Sequence, residues 1–391
     1  MNTFMKNREL NNLSISKKVY IFDFCLFWLS ILYFVSNVEL FMDNIIFLEI
    51  QNFVELFFYF LLIYVIFNKK YTEKQLAIII VVTSLLTYGM YKSGMSAFVF
   101  AWLLIVASKG EKYTRLIKVL YYSLLISFVI GIGCYIFTID WESFVFQLKT
   151  GLTLGFVQKN QTGLIFAYLY LMKKIWNNKI EKPRKELVHT IVYSGITFLI
   201  TRSKTASVVI LLYPIFMYIY ELATKKKNKC ILLITKFLVP FLFLFNYILG
   251  KTFLISEFSQ FVDKILTNRI FLNWFLLSKN SLTLWGQNVQ LNYTGIHNPI
   301  RDTWNITTTV DNGYIFSIVV MGIIPTILFA IGYMKIIDIA WKEKNLKTLT
   351  IAVIIALYGI TEIKTINIFF NFVYLYLNSK RKKDYIYKKR R

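Results

Sequence analysis

Twelve apolar runs divide this chain, at residues 18–36, 50–67, 76–91, 94–108, 116–138, 157–174, 188–202, 205–222, 231–249, 312–334, 347–363 and 365–378. A bilayer core takes about 20 apolar residues per helical span. Backbone groups inside lipid must find partners within the protein, which excludes lipid-exposed open sheets. The pattern predicts an all-α, polytopic integral membrane protein with twelve transmembrane helices, forming a single membrane domain over residues 1–391. Runs 94–108, 188–202 and 365–378 are short for a full span. Only one gap is long, residues 250–311, and it is expected to be an external loop carrying an interfacial helix.

Basic residues give the runs a direction. The N-terminus, every second gap and the C-terminus together hold 33 of the 45 Lys and Arg residues; the opposite gaps hold 11, and Lys236 lies inside a run. Basic loops stay in the cytoplasm, so both termini are expected there, with 250–311 outside. The expected location is the cell (cytoplasmic) membrane.

A mean hydropathy of +0.54 agrees with a membrane chain. The net charge of +24 gathers next to the runs. Its densest cluster, Lys380–Lys383 with Lys388–Arg391, suits anionic headgroups and not nucleic acid. Cys25, Cys134 and Cys230 lie in or beside apolar runs, so no disulfide framework is implied. A phosphate-cradling loop, a zinc-binding histidine pair and paired cysteines are all missing from the sequence. The expectation is no metal and no cofactor.

Four places carry candidate chemistry. Thr201-Arg202-Ser203-Lys204-Thr205 interrupts a run too long for one span and short for two. It is expected to be a tight turn inside the outer face, where a helix N-terminus, Arg202 and Lys204 converge on an anion such as phosphate. The plainer alternative is that both cations snorkel to headgroups. Arg269 lies on a segment patterned as an amphipathic surface helix, with Trp274 and Trp285 as anchors; an arginine can grip a diphosphate bidentately. The end of the long loop brings His297, Arg301, Asp302, Asp311, Asn312 and Tyr314. His297 can act as a base near neutral pH, and Asp311 is alternatively a plain helix cap. Finally, Gly151 to Gly163, with Asn160, opens the sixth run and suggests a re-entrant or cavity-lining segment.

Four elements occur in order: Gly155-Phe156 with Asn160 and Gly163; Thr201 to Ala206; Asn268-Arg269 with Trp274 and later Leu284-Trp285-Gly286; and Asp311-Asn312 with Tyr314 and Gly322. Together, over residues 150 to 335, they resemble the O-antigen polymerase and ligase superfamily, and within it the Wzy-type polymerases of capsule and exopolysaccharide pathways. The resemblance implies a glycosyltransferase that uses undecaprenyl diphosphate-linked oligosaccharides at the outer face and needs no nucleotide sugar or metal. Implied partners are these lipid-linked sugars, membrane lipids, a chain-length regulator and a flippase, with no nucleic acid. Arg202 and Arg269 match the family's arginine positions and would hold the diphosphate, with Lys204 beside them. Asn160, Arg301, Asn312 and Tyr314 are further candidate substrate contacts. The family often has a histidine in its last external loop; here that element reads Asp311-Asn312, and His297 lies fourteen residues earlier. The base is left between His297 and Asp311, with His297 favoured because it alone titrates near neutrality unshifted. Two rival functions share most features. A lipid-linked oligosaccharide flippase would have short loops on both sides, and a ligase-type glycan transferase would differ only in its acceptor.

Overall fold

The structure is a computed structural model. It describes residues 20–42, 44–177, 183–290, 293–298, 300, 303–308 and 311–380, without the side chains of 183, 293–297 and 303–308. Arg301 and Asp302 lie outside the described residues, as does the side chain of His297.

In chain order the helices are α1 (Tyr20–Val35), α2 (Glu39–Met42), α3 (Ile45–Phe67), α4 (Glu73–Ser93), α5 (Ala97–Ala107), α6 (Tyr113–Thr138), α7 (Trp141–Thr150), α8 (Lys159–Trp176), α9 (Pro183–Thr201), α10 (Lys204–Lys225), α11 (Lys229–Lys251), α12 (Glu257–Ile265) and α13 (Arg269–Lys279). A hairpin follows, of β1 (Tyr293–Asn298) and β2 (Thr303–Thr308), antiparallel with Ile296 opposite Ile306. Then come α14 (Gly313–Phe316), a π turn (Ser317–Met321), α15 (Ile323–Lys342), α16 (Leu346–Tyr358) and two 3₁₀ turns, Ile363–Ile366 and Phe372–Leu377. Among the described residues the fold is helical apart from this hairpin, which hydropathy alone left as loop.

Among the described residues, six helices are long and apolar enough to cross a membrane: α3, α4, α6, α10, α11 and α15. Their starts follow capping chemistry. Asn44 accepts from the Phe47 N–H to open α3, Thr72 and Gln75 form a capping box on α4, and Asn228 caps α11. The helix α3 is apolar on all sides, burying Phe58 and Leu62 while exposing Phe53, Phe60 and Phe67. A helix of that kind is suited to lipid rather than water.

The chain forms two compact units: residues 1–70, 103–216 and 378–383; and residues 71–102, 217–377 and 384–391. In the first unit α8 packs on α6 and α9, with Leu116, Leu120, Leu164, Tyr168 and Leu171 fully buried. Around the start of α6, Lys69 pairs with Glu111 at 2.9 Å, and Arg115 pairs with Glu111 at 2.5 Å and Asp23 at 3.0 Å. The Gly110 and Tyr113 N–H groups donate to the carbonyls of Asn378 and Lys380 there. Toward the end of α6, Glu39 N–H donates to the Gly155 carbonyl and Leu152 N–H to the Ile200 carbonyl, both at 2.9 Å. The segments that the charge bias places inside thus meet one another, and the segments it places outside do the same.

In the second unit α11 packs against α13 and α15. Lys236, a cation in the middle of an apolar run, pairs with Asp338 of α15 at 2.6 Å. Each is about a third or less exposed, so either charge alone would be poorly solvated. Lys236→Met is expected to cost about 1–3 kcal/mol, and adding Asp338→Leu to recover most of it. Thermal unfolding of the purified chain in detergent checks both.

Two sequence expectations need correction. Residues 365–378 are not a helix. They run beside α15 as 3₁₀ turns, with the Tyr374 hydroxyl on the Phe329 carbonyl and the Tyr376 hydroxyl on Glu343. Asn371 turns its amide back onto the Thr365 carbonyl, and Asn367 takes the Phe369 N–H; these bonds compete with a regular helix. Non-helical backbone at membrane depth is tolerated where protein covers it, and Ile368, Phe369, Phe372, Leu375 and Tyr376 are all nearly inaccessible. The second correction moves the amphipathic helix. Residues 269–279 are buried through Ile270, Phe271, Leu276 and Leu277, whereas α12 buries Ser259 and Asp263 and exposes Phe258, Phe261 and Ile265. An apolar face turned outward on a short helix is the interfacial pattern, and it sits one helix earlier than its sequence signal suggested.

Candidate functional site

The turn expected at 201–205 is present. The helix α9 ends at Thr201, α10 begins at Lys204, and Arg202 and Ser203 connect them. Close packing forces this shape. Gly163 of α8 lies so near that a Cβ there would come within 2.7 Å of the Ser203 Cβ and 3.0 Å of the Ala206 Cβ. The starts of α8 and α10 therefore abut. The motif glycine serves that approach and does not line a re-entrant cavity.

Arg202 sits at φ +53°, a left-handed conformation that a non-glycine residue adopts at a cost of about 1–3 kcal/mol. Its side chain is exposed, with the guanidinium 5.9 Å from the centre of the Phe198 ring. Ser203 is 1% exposed, and its hydroxyl makes no hydrogen bond among the described residues. The Gln161 Oε1 on α8 is likewise buried and unpaired. Lys204 is exposed and Asn160 half-buried; Lys159 donates to the Thr150 carbonyl at 2.7 Å. No Asp or Glu occurs in residues 143–180 or 187–220. Cations, two helix starts and orphaned polar atoms meet here, an arrangement suited to a phosphate group.

The second unit holds the other cluster. Arg269 opens α13, after Thr267 and Asn268 in left-handed conformations. Asp263 caps this helix, its Oδ1 taking the Ile270 and Phe271 N–H groups at 2.9 Å each. The Arg269 guanidinium donates to the Thr361 carbonyl and lies 3.4 Å from Asp311. Both contacts fix the orientation of the guanidinium, whose side chain is 12% exposed.

Asp311 is not the helix cap. Asn312 is: its Oδ1 accepts from the Tyr314 and Ile315 N–H groups at 3.0 and 3.1 Å, and its amide donates to Asn246 at 2.7 Å. Tyr314 is buried and donates its hydroxyl to the Ala356 carbonyl. Asn312 and Tyr314, expected to touch substrate, instead hold α14 to α11 and α16, so that Asp311 faces Arg269. Asn312→Ala is accordingly expected to lower stability by about 1–3 kcal/mol. Asp311→Asn is expected to change stability by less than about 1 kcal/mol while lowering activity through a loosened Arg269. Unfolding curves set beside activity separate the two.

Sequence reasoning missed two charges. Glu362, in the turn after α16, is 9% exposed, and Lys364 follows on the 3₁₀ turn. Arg269, Asp311 and Lys364 are the charges that face Glu362. The signal was available, since both charges interrupt an apolar stretch as Arg202 and Lys204 do.

Arg202 belongs to the first unit and Arg269 to the second. His297 falls on β1 by its backbone. No group of three or more His, Cys, Asp or Glu residues suited to a metal occurs among the described residues. The chain matches no protein-family model, no curated protein and no solved structure.

Proposed function

We propose that this chain is a multi-pass glycosyltransferase of the cytoplasmic membrane, polymerising oligosaccharide repeats carried on a lipid diphosphate such as undecaprenyl diphosphate at the outer face. The observation that carries the reading is the cationic turn Arg202–Lys204 at the start of α10, with its left-handed arginine and unpartnered Ser203 hydroxyl. A leaving diphosphate gains charge as its bond to the sugar breaks, so cations placed beforehand stabilise the transition state most. Arg202 and Lys204 supply such cations in the first unit, and Arg269, oriented by Asp311, supplies one in the second. The topology is that of the charge bias, with both termini inside, the 250–311 loop outside, the exposed apolar face of α12 on the outer leaflet and the 367–377 segment as an irregular crossing. The meeting of like-sided segments within the first unit supports it.

The test is direct. Purified chain in vesicles, given one lipid diphosphate-linked repeat unit, is expected to produce a ladder of oligomers and free lipid diphosphate. Movement of the substrate between leaflets without a ladder would indicate a flippase. Transfer only to a different acceptor would indicate a ligase.

A further inference from the structure

Glu362 closes the turn after α16, and packing accounts for only half of its carboxyl group. One oxygen accepts the Lys364 N–H at 3.3 Å, which shapes the 3₁₀ turn. The other makes no hydrogen bond among the described residues. The turn is fixed from three sides. Gly313 N–H donates to the Gly359 carbonyl at 2.9 Å, the Thr365 hydroxyl donates to the Glu362 carbonyl at 2.8 Å, and Arg269 donates to the carbonyl of Thr361, the adjoining residue. Arg269 and Asp311, 3.4 Å apart, complete a group of four charges with Glu362 and Lys364. A carboxylate lodged next to the arginine proposed to hold the diphosphate is costly to bury for structure alone.

Asp311 is a poor proton acceptor in this arrangement, because protonating it would remove the charge that orients Arg269. Glu362 carries no such duty. We propose that Glu362 is the proton acceptor of the transfer reaction, an inference that rests on the polymerase reading above. In the step, the acceptor hydroxyl passes its proton to the Glu362 carboxylate as the acceptor oxygen bonds to the anomeric carbon. The bond from that carbon to the diphosphate oxygen breaks, and its electron pair leaves with the diphosphate, whose added charge falls on Arg269. Glu362 then releases the proton to water. The charges facing Glu362 are those of Arg269, Asp311 and Lys364, and a general base is most effective when its carboxylate is available near neutral pH.

The experiment uses the full chain in vesicles with one lipid diphosphate-linked repeat, and follows initial rates of ladder formation from about pH 5.5 to about pH 8.5. The wild-type rate is expected to fall toward the acid end of that range, as the carboxylate takes up its proton. E362Q should lose at least about 10²-fold at every pH while still binding the lipid-linked repeat. E362D should keep measurable activity with the acid limb of its pH profile displaced. E362Q polymerising at the wild-type rate overturns the proposal. So does E362D with an undisplaced acid limb, or E362Q losing substrate binding together with activity. E362D carries the test by itself if E362Q fails to fold. A wild-type chain that makes no ladder overturns the polymerase reading and this inference with it; a ladder from E362Q overturns the inference alone.

Discussion

Replacing Arg202 with lysine is expected to lower polymer formation by about 10²-fold, the usual scale for losing one well-placed donor to a developing oxyanion. Lysine keeps the charge but is a point donor, and it cannot offer a diphosphate two parallel N–H bonds. The side chain is exposed and the backbone is left-handed at φ +53°, so the residue is not retained for folding. Arg202→Gly makes that separation visible. Glycine adopts this conformation without strain, while contact with the Phe198 ring, worth about 0.5–1 kcal/mol at an exposed site, is lost. Stability should stay within about 1 kcal/mol of wild type, and polymer should be absent. The paired measurement is ladder formation beside thermal unfolding. A fully active Arg202→Gly chain would remove the turn from the reaction.

Gly322→Ala is expected to cost on the order of 3 kcal/mol or more, enough to keep the protein from accumulating in the membrane. Gly322 (φ +92°) and Gly286 (φ +89°) lie back to back, and a Cβ on Gly322 would come within 2.2 Å of the Gly286 nitrogen. The strands of backbone around them are bonded, Gln287 N–H to the Val320 carbonyl and Ile323 N–H to the Thr283 carbonyl, both at 3.0 Å. This contact joins the loop after α13 to the π turn that feeds α15. Gly94 is the control. It has φ +71°, and a Cβ there would meet nothing within 4 Å, so Gly94→Ala should cost only about 1 kcal/mol. Membrane yield and unfolding temperature read both variants. Equal behaviour of the two would mean that the Gly286–Gly322 contact does not bear on stability.

Hydropathy was sufficient to place the six long apolar helices, because that signal acts through each residue's own transfer from water. The Thr201–Lys204 turn was legible for the same reason, since a pair of cations cannot lie inside an apolar helix without ending it or facing something polar. What Asp311 and Asn312 do was not legible. Either residue type caps a helix, and only the position of Asn246 and Arg269, brought close by the packing of α11 and α13, decides that Asn312 caps and Asp311 pairs. The 365–378 segment carries an apolar composition that suits a helix. It is irregular because Asn367 and Asn371 find backbone partners and α15 covers it, and neither condition is written in hydropathy. The amphipathic pattern of residues 266–274 is real, but its apolar side found α11 instead of lipid. Sequence by itself therefore determined which segments leave water and which end is basic. Tertiary structure decided which charges meet, since pairing Arg269 with Asp311 and setting Glu362 beside them depends on contacts between residues up to 93 positions apart, and no local preference specifies such contacts.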